Sequence, residues 1–343
     1  MTPVSDDTTL DAYLAAWAAN DPTREAVART IGALTEAGVA IAEIVGRGAL
    51  EGAMAAQTDA TNAGGDAQKA LDVRTHDITV DILKDSPVAR IGSEEAEDEV
   101  VFDDGRPLVV AIDPLDGSSN IETNVSIGTL FGILPNVGDA SFTQPGTNQL
   151  AAGFIVYGPA TALVLTVGEG AHAFMLDRAS GRFIRTHADI KIPPQTKEYA
   201  INASNQRHWD DAIQAYVADC LAGAEGPREK NFNMRWVGSL VADVFRILVR
   251  GGVYLYPGDA RQGYGSGRLR LVYECNPIAF VCEQAGGAAT DGQRRILEIE
   301  PASLHVRSPL LCGSIEEIER VGRYYADPPR RSPLFAKRGL FLA

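Results

Sequence analysis

The segment with the clearest chemistry is an acidic turn at residues 113–119, directly after an apolar run. Asp113 and Asp116 stand three residues apart with a proline between them, which favours a turn. Both carboxylates and the Leu115 carbonyl group can then face one point, and hard cations such as Mg²⁺ prefer oxygen ligands of this kind. Donors suited to a phosphate follow the turn, namely Gly117, Ser118 and Ser119. The alternative interpretation is an acidic surface turn.

Two further segments carry charged residues beside apolar runs. Glu94 and Glu95 follow a possible strand end, so they either face a cleft or lie on a solvated surface. Arg268 and Arg270 alternate with apolar residues, so both can lie on one strand face, where a phosphate is a natural partner. Glu274 lies just before a predicted helix start. Rim charges on an exposed strand are the alternative for this segment.

Two serines mark predicted helix N-termini. Gly238 and Ser239 precede an apolar helical stripe, so Ser239 is either part of an anion or hydroxyl site or a simple N-cap. Ser314 and Glu317 have the spacing of a capping box, which predicts the start of the final helix.

The composition narrows the class of protein. The chain has 343 residues, a formal net charge of −14 and 45% hydrophobic residues. This acidic balance argues against nucleic acid and anionic membranes as partners. The four cysteines lack CxxC spacing, so we expect buried, reduced thiols rather than zinc ligands or a disulfide framework. No signal peptide and no membrane span are expected, and the protein is expected in the cytoplasm.

The elements that position these residues follow from hydrophobic periodicity. Residues 8–56 are predicted to be mostly helical, with Asp21-Pro22 as a helix start, and another helix is predicted over 72–84. A further helix is predicted over 240–249 from its apolar stripe. Strands are predicted at 107–112, 126–134, 151–157, 162–167, 168–174, 199–203 and 252–256.

The chain length and a pair of prolines predict two domains and a tail. Pro193-Pro194 marks the candidate boundary, which divides the chain into 1–192 and 193–330. Residues 331–343 are predicted to be a tail.

At this point the chain resembles class I fructose-1,6-bisphosphatases. Residues 110–135 (VAIDPLDGSSNIETNVSIGTLFGILP) are similar to the metal loop of that family. The segments at 92–95 (GSEE), 234–248 (MRWVGSLVADVFRIL) and 267–287 (GRLRLVYECNPIAFVCEQAGG) match it in the same order. The resemblance implies a layered α+β (αβαβα) sugar-phosphatase fold. The DPLDGS element also occurs in inositol monophosphatases, whereas RLRLVYECNP makes the resemblance specific.

The resemblance implies an Mg²⁺-dependent hydrolase that removes the 1-phosphate of fructose 1,6-bisphosphate. It implies two or three Mg²⁺ per subunit, with Mn²⁺ possible as a replacement. The implied metal ligands are Glu94, Glu95, Asp113, Asp116, Glu274 and the Leu115 carbonyl. Asp72 and Glu95 match residues that activate water, and Asp66 matches a residue of a mobile loop.

Substrate contacts are also implied by the resemblance. Gly117, Ser118 and Ser119 match contacts to the transferred phosphate. The positions that match the sugar and 6-phosphate site are Asn202, Asn205, Arg235, Trp236, Ser239, Leu240, Tyr256 and Arg268. Because Arg235 matches an arginine that reaches in from a neighbouring subunit, a homo-oligomer, usually a tetramer, is implied.

Several positions depart from the family pattern. Arg268 stands where lysine is usual, and Trp236 and Asn205 stand where tyrosines are common. A sedoheptulose-1,7-bisphosphatase or a dual-specificity enzyme is therefore an alternative, and a non-catalytic sugar-phosphate sensor is a more distant one. Pro107, Leu108 and Pro135 replace the residues that bind AMP in animal members, so weak or absent AMP inhibition is expected.

Overall fold

The computed structural model describes residues 7–51, 57–61 and 67–327, with the side chains at 49, 57–61, 67 and 68 left out. Asp66 and the predicted tail at 331–343 lie outside the described residues. None of the described helices combines the length and the apolar character needed to cross a membrane.

Most α-helices within the described residues lie close to a predicted helix. The helices are α1 (Leu10–Ala18), α2 (Pro22–Arg47), α3 (Ala70–Leu83), α4 (Asp211–Leu221), α5 (Leu240–Arg250), α6 (Asn276–Gln284) and α7 (Ile315–Ala326). Of these, α4 has no predicted counterpart. The predicted start of α2 is confirmed, because the Asp21 carboxylate accepts a hydrogen bond of 2.9 Å from the Arg24 N–H group.

The strands form two large sheets and two small ones. They are β1 (Gln57–Thr61), β2 (Ala67–Lys69), β3 (Val88–Ser93), β4 (Val100–Val101), β5 (Leu108–Asp116), β6 (Ile127–Pro135), β7 (Ala151–Tyr157), β8 (Thr161–Thr166), β9 (Ala171–Asp177), β10 (Arg182–His187), β11 (Glu198–Ile201), β12 (Asn233–Met234), β13 (Val253–Tyr256), β14 (Leu269–Arg270), β15 (Ala288–Thr290), β16 (Arg307–Ser308) and β17 (Leu310–Gly313). Each predicted strand is present within a few residues, and β4, β10, β15 and β17 are among the strands that the sequence patterns did not predict.

The first large sheet has eight strands in the order β10-β9-β8-β7-β6-β5-β3-β4, with β3 and β5 parallel and the other neighbours antiparallel. Central strands such as β5 and β7 are buried on both faces, which explains why their sequences are largely apolar without polar alternation. Helices α1, α2 and α3 cover one face through a core that includes Leu14, Ile31 and Ile41.

The second large sheet has five strands in the order β12-β11-β13-β17-β15. Helices α5 and α6 lie between the two sheets, where Val241, Val244 and Ile278 are fully buried in a shared core. Helices α4 and α7 cover the outer face of the second sheet around Tyr216 and Val321. The layers therefore run αβαβα, which confirms the predicted fold class.

Two local predictions are corrected by tertiary contacts. The strand that was predicted to stop before Asp113 continues to Asp116, with a register shift against β6 between these two residues. The final helix begins after Ser314 as predicted, but the Ser314 hydroxyl accepts from the Gly252 N–H group at 3.2 Å rather than capping the helix. Glu317 is turned into the protein and binds Arg228, so the capping box is wrong. The domain boundary near residue 193 stays a prediction.

Candidate active site

The bulged end of β5 positions the first two acids of the site. The Asp113 carboxylate accepts from the Leu115 N–H group at 3.0 Å, which holds the side chain against its own turn. The Thr129 hydroxyl donates to the Pro114 carbonyl at 2.9 Å and fixes the bulge to β6. Gly117 then adopts φ +79°, a left-handed conformation in which a side chain would be strained. The turn is therefore built into the sheet rather than exposed on the surface.

Two acids from distant segments join Asp113. Glu94 follows β3, and its N–H group donates to the Ile112 carbonyl of the parallel strand β5 at 3.1 Å. Glu274 lies in a buried π-helical turn, Leu271–Cys275, just before α6. One carboxylate oxygen from each of Glu94, Asp113 and Glu274 lies within 4.8 Å of the others, and all three side chains are buried. The alternative that these acids are solvated surface charges is wrong for all three.

Burial makes the ionised forms of these acids unfavourable. Burial, followed by the nearby charge of Glu94, raises the pKa of Asp113 and of Glu274 well above their usual values. Burial also raises the pKa of Asp116 to about 7. A cluster of buried carboxylate oxygens is the donor set that a hard divalent cation prefers, and such a cation would remove the mutual repulsion. The residues present therefore fit a divalent metal.

One arginine is built into the acidic group. The guanidinium of Arg270 lies 3.2 Å from the Glu94 carboxylate, and the Arg270 backbone N–H group donates to Glu274. The alternation of Arg268 and Arg270 with apolar residues predicted a phosphate as the partner of both. The structure instead gives Arg270 carboxylate partners, a long-range pairing that no local sequence pattern indicates.

Asp72 and Glu95 lie beside the acidic group. Asp72 is buried near the start of α3, and its Oδ2 accepts from the Lys69 N–H group at 2.8 Å. Its Oδ1 is buried and has no hydrogen-bond partner among the described residues. Burial raises the pKa of Asp72 to about 6, which suits a group that accepts a proton near neutral pH.

The turn that carries Glu94 and Glu95 has a support that the sequence did not indicate. The Ser93 hydroxyl accepts from the Glu95 N–H group at 3.2 Å and is hydrogen bonded to His76 Nδ1 at 2.9 Å. His76 lies one helical turn after Asp72 on α3, so one helix supports both sides of this part of the site.

These residues line one cleft of about 470 Å³. Its acidic side and the turn that follows Asp116 are formed by Asp72, Glu94, Glu95, Asp113, Leu115, Asp116, Gly117, Ser118, Ser119 and Glu274. The same cleft is also lined by Tyr256, Tyr264, Arg268 and Arg307. The structure thus brings together all the described acids that the sequence singled out, along with Tyr256 and Arg268 from the expected sugar site. Tyr264 and Arg307 are additions.

The N-terminus of α5 acts on the site indirectly. The Val241 N–H group donates to the Asp116 carboxylate at 3.3 Å, and Leu240 also donates its N–H group there. Asp243 accepts from the N–H group of Gly238 at 3.1 Å, while the Ser239 hydroxyl makes no capping hydrogen bond. The helix terminus therefore binds the protein's own carboxylates, and Ser239 and Leu240 do not line the cleft.

The other residues expected at the sugar site lie outside the cleft lining. Asn202 accepts from the Ser204 N–H group at 3.2 Å and so begins a short helical turn that contains Asn205. Trp236 is stacked on Tyr256 with ring centroids 6.1 Å apart, so it supports a residue that does line the cleft. Arg235 is exposed after β12.

Comparison with known proteins gives matches over nearly the whole chain. The family model described as fructose-1-6-bisphosphatase, N-terminal domain, matches residues 17–188, and that of the C-terminal domain matches residues 192–326. A protein of Azorhizobium caulinodans named fructose-1,6-bisphosphatase class 1 is 57% identical over 93% of this chain and 99% of its own length. A protein of the same name from Methylobacterium radiotolerans is 53% identical over 97% of each chain.

The fold is also similar to a solved structure. The crystal structure of Leishmania major fructose-1,6-bisphosphatase in holo form superposes with a TM-score of 0.85 at 34% sequence identity. The match covers 95% of this chain and 100% of that one.

Proposed function

Because the chain belongs to the class I fructose-1,6-bisphosphatase family, we propose that it hydrolyses the 1-phosphate of D-fructose 1,6-bisphosphate. The products are fructose 6-phosphate and inorganic phosphate, and the reaction depends on Mg²⁺. The enzyme is a phosphoric monoester hydrolase of carbohydrate metabolism, in gluconeogenesis or in a carbon-fixation cycle.

One observation carries the proposal beyond family membership. A single cleft is lined both by buried carboxylates and by Arg268. A substrate with two phosphates meets both requirements, since one phosphate can share cations with the acids and the other can bind the arginine. A monophosphate would leave the arginine side of the cleft without a partner.

Divalent cations would be held on the acidic wall. The residues we assign to them are Glu94, Glu95, Asp113, Asp116, Glu274 and the Leu115 carbonyl, and we propose two or three Mg²⁺ per subunit, with Mn²⁺ as a substitute. Bound cations of this kind supply charge neutralisation for the phosphate and a more acidic water. The protein's own contribution is orientation: β5, the turn after β3 and the π-helical turn hold the carboxylates rigidly before any ligand arrives.

Proton transfer is assigned to Asp72 and Glu95. The buried Oδ1 of Asp72 has no hydrogen-bond partner among the described residues, and Asp72 lines the cleft, so this oxygen can accept the proton that the attacking water loses. A pKa of about 6, raised by burial, leaves Asp72 ionised and basic enough at neutral pH. Asp66, outside the described residues, is retained as a catalytic candidate.

We assign the two ends of the substrate to two different sets of cleft residues. Gly117, Ser118 and Ser119 are assigned to the transferred phosphate, since they supply N–H and hydroxyl donors at the end of the bulge. Tyr256 and Arg268 are assigned to the sugar and its retained phosphate. The remaining members of the proposed sugar site are Asn202, Asn205, Arg235, Trp236, Ser239 and Leu240.

The proposal includes assembly and location. Arg235 is exposed, and its guanidinium donates to the Met234 carbonyl at 3.4 Å. Its other N–H groups can therefore bind substrate in the cleft of a neighbouring subunit of a homotetramer. Light scattering of the purified protein measures the assembly directly. We also propose that the enzyme acts in the cytoplasm.

The decisive experiment measures phosphate release from fructose 1,6-bisphosphate and from sedoheptulose 1,7-bisphosphate, each with Mg²⁺ and with a chelator. We expect Mg²⁺-dependent release, with the larger kcat/KM for the fructose substrate. A larger value for the heptulose substrate would reassign the preferred substrate. Absence of release from both substrates would overturn the assignment as an enzyme.

A further inference from the structure

The wall of the cleft that carries Arg268 is formed by a loop at residues 257–267, which we name the glycine loop because four of its eleven residues are glycine. Its backbone is closed on itself: the N–H groups of Asp259 and Gly267 both donate to the Tyr264 carbonyl at 3.0 Å. The Ala260 N–H group donates to the His208 carbonyl at 3.0 Å, which fixes the loop to the short helical turn after β11. Tyr264 is therefore held by its backbone at a defined place.

Gly267 determines how closely this loop approaches the rest of the protein. It has φ +82°, and a Cβ atom there would lie 2.3 Å from the backbone of Ser308 and Pro309. No larger residue fits without displacing β16, so the loop ends at a rigid contact just before Arg268.

The Tyr264 ring contacts two guanidinium groups. The Cζ atom of Arg268 is 4.3 Å from the ring centroid, and that of Arg261 is 4.9 Å away. Arg268 Nη2 also donates to the Tyr264 hydroxyl at 3.3 Å. Both separations are within the range of cation–π attraction, which is electrostatic and adds to the packing of the two planes.

The charge of Arg261 is neutralised by a neighbouring carboxylate. Arg261 forms an ion pair with Asp259, whose carboxylate also accepts from the Arg261 backbone N–H group at 3.0 Å. The contacts of Arg261 hold the pKa of Asp259 below its usual value. Asp259 therefore balances Arg261, and Arg261 supports the ring without adding an uncompensated charge to the cleft.

The consequence for Arg268 is loss of conformational freedom before substrate binds. A long arginine side chain loses rotamer entropy when it is immobilised by a ligand, and that loss reduces affinity. Contact with the Tyr264 ring and a hydrogen bond with the Tyr256 hydroxyl restrict the guanidinium in advance. A lysine would not gain the same restriction, because an ammonium group has no plane to stack.

We propose that Tyr264 is a positioning residue that determines recognition of the retained phosphate, by holding the Arg268 guanidinium in its binding orientation. The inference rests on the proposed function, in which Arg268 binds that phosphate. Asp259 and Arg261 act through Tyr264 as its support.

The test compares Tyr264→Leu, which keeps apolar bulk but removes the ring, with Tyr264→Phe, which keeps the ring and removes the hydroxyl. We expect Tyr264→Leu to raise the KM for fructose 1,6-bisphosphate and the inhibition constant of fructose 6-phosphate about tenfold, with kcat within about twofold. We expect Tyr264→Phe to restore both constants to within about threefold of wild type, since stacking is the larger interaction.

Fructose 1-phosphate, assayed at high enzyme concentration, is the control substrate because it lacks the retained phosphate. Its kcat/KM should be the same for wild type and Tyr264→Leu, which also reports that the fold and the acidic wall are intact. Equal losses with both substrates would overturn the proposal, and so would an unchanged KM and inhibition constant in Tyr264→Leu. If wild type itself fails on fructose 1,6-bisphosphate, the proposed function is what fails.

A double-mutant cycle with Arg268→Lys tests whether the two residues act together. Tyr264→Leu should change the inhibition constant of fructose 6-phosphate less than about twofold in the Arg268→Lys background, because a lysine does not stack. Additive effects of the two substitutions would show independent roles and would overturn the proposal.

Discussion

Two regions of this protein bury ionised side chains, and they compensate the charge in opposite ways. The first is the acidic cluster, which we define as Glu94, Asp113, Asp116 and Glu274. The second is the Arg228–Glu317 pair between the outer helix α7 and the loop after α4. Removing charges from water is costly in both, because burial disfavours the ionised form.

The Arg228–Glu317 pair is neutralised by the chain itself. One Arg228 nitrogen donates to both Glu317 oxygens at 2.6 and 2.7 Å, and the Tyr216 hydroxyl donates to the same carboxylate at 3.0 Å. Lys230 lies 3.5 Å away, and the Arg228 guanidinium also packs over the Phe232 ring at 4.5 Å. Every partner is a fixed side chain, so this region is complete without a ligand.

The acidic cluster is not neutralised in this way. Arg270 contributes one positive charge to it through Glu94, yet burial and neighbouring carboxylates still raise the pKa of Asp113. The excess negative charge is tolerable only when protons or cations are bound. A buried charge that the chain itself neutralises stabilises the fold, whereas a buried charge left without a counter-charge in a cleft binds a ligand.

The largest expected effect comes from removing one charge of the cluster. Asp113→Asn should lower kcat/KM for fructose 1,6-bisphosphate by about 10³-fold, because a cation loses a ligand. The same change should raise the melting temperature measured in chelator, because it relieves repulsion between buried acids. Asp98→Asn, which removes an exposed charge from the loop after Glu94, is the control and should change neither value. A lower melting temperature in Asp113→Asn would contradict the difference between the two regions.

The opposite result is expected in the matched pair. Glu317→Gln leaves the Arg228 guanidinium buried beside a neutral amide, which should destabilise the protein by about 3 kcal/mol. A lower urea midpoint checks this, while kcat/KM of the folded enzyme should stay within about twofold of wild type. Replacing both residues, with Arg228→Met and Glu317→Leu, should recover most of the midpoint. Failure of the double variant to recover would show that the pair does more than balance charge.

Cation binding should stabilise the first region alone. Mg²⁺ at about one hundred times its dissociation constant should add about 2.7 kcal/mol to the free energy of unfolding. Thermal melts with Mg²⁺ and with chelator measure the difference, which Asp113→Asn should reduce and Glu317→Gln should leave unchanged. An equal reduction in both variants would argue that Mg²⁺ does not bind at the cluster.

The pH dependence of the metal-free protein follows from the same acids. The folded chain raises the pKa of Asp72 to about 6 and that of Asp116 to about 7, chiefly by burial, so it binds more protons than the unfolded chain. These two groups contribute their full stability below the unfolded pKa of about 4, and that contribution is lost as pH rises towards 7. We expect the melting temperature in chelator to decrease from pH 5 to pH 8, and saturating Mg²⁺ to weaken this trend. A melting temperature that rises from pH 5 to pH 8 in chelator would contradict the raised pKa values of Asp72 and Asp116.

The smallest effect is expected from the support behind Glu95. His76→Ala removes a hydrogen bond to the Ser93 hydroxyl but no ligand, so the Mg²⁺ concentration at half-maximal activity should rise only about threefold. The KM for fructose 1,6-bisphosphate should be unchanged, because His76 and Ser93 do not line the cleft. Recovery by His76→Gln, which can still bond to the hydroxyl, separates positioning from packing. A changed KM with an unchanged Mg²⁺ requirement would count against this support.

Local sequence patterns determined much of the fold and part of the site. The start of α2, the stripe of α5 and the central strands depend on side-chain periodicity and capping within a few residues, so they could be read along the chain. The turn at Asp113 and Asp116 could be predicted for the same reason, and the family resemblance assigned Glu94 and Glu274 to the same metal site. Asn202 and Arg235 were assigned from the resemblance alone, and their roles stay predictions.

Only the tertiary structure decided which charges meet. Ser314 and Glu317 have the spacing of a capping box, yet Glu317 binds Arg228, which lies 89 residues earlier in the chain. Arg270 was expected to bind phosphate, but its partner is Glu94. The physical reason is that the energy of a charge depends on burial and on neighbours from distant segments, and neither is encoded in the spacing of nearby residues. The sequence by itself determined the elements and the candidate acids, and the packing of the two sheets decided which of those acids stay unmatched and need a cation.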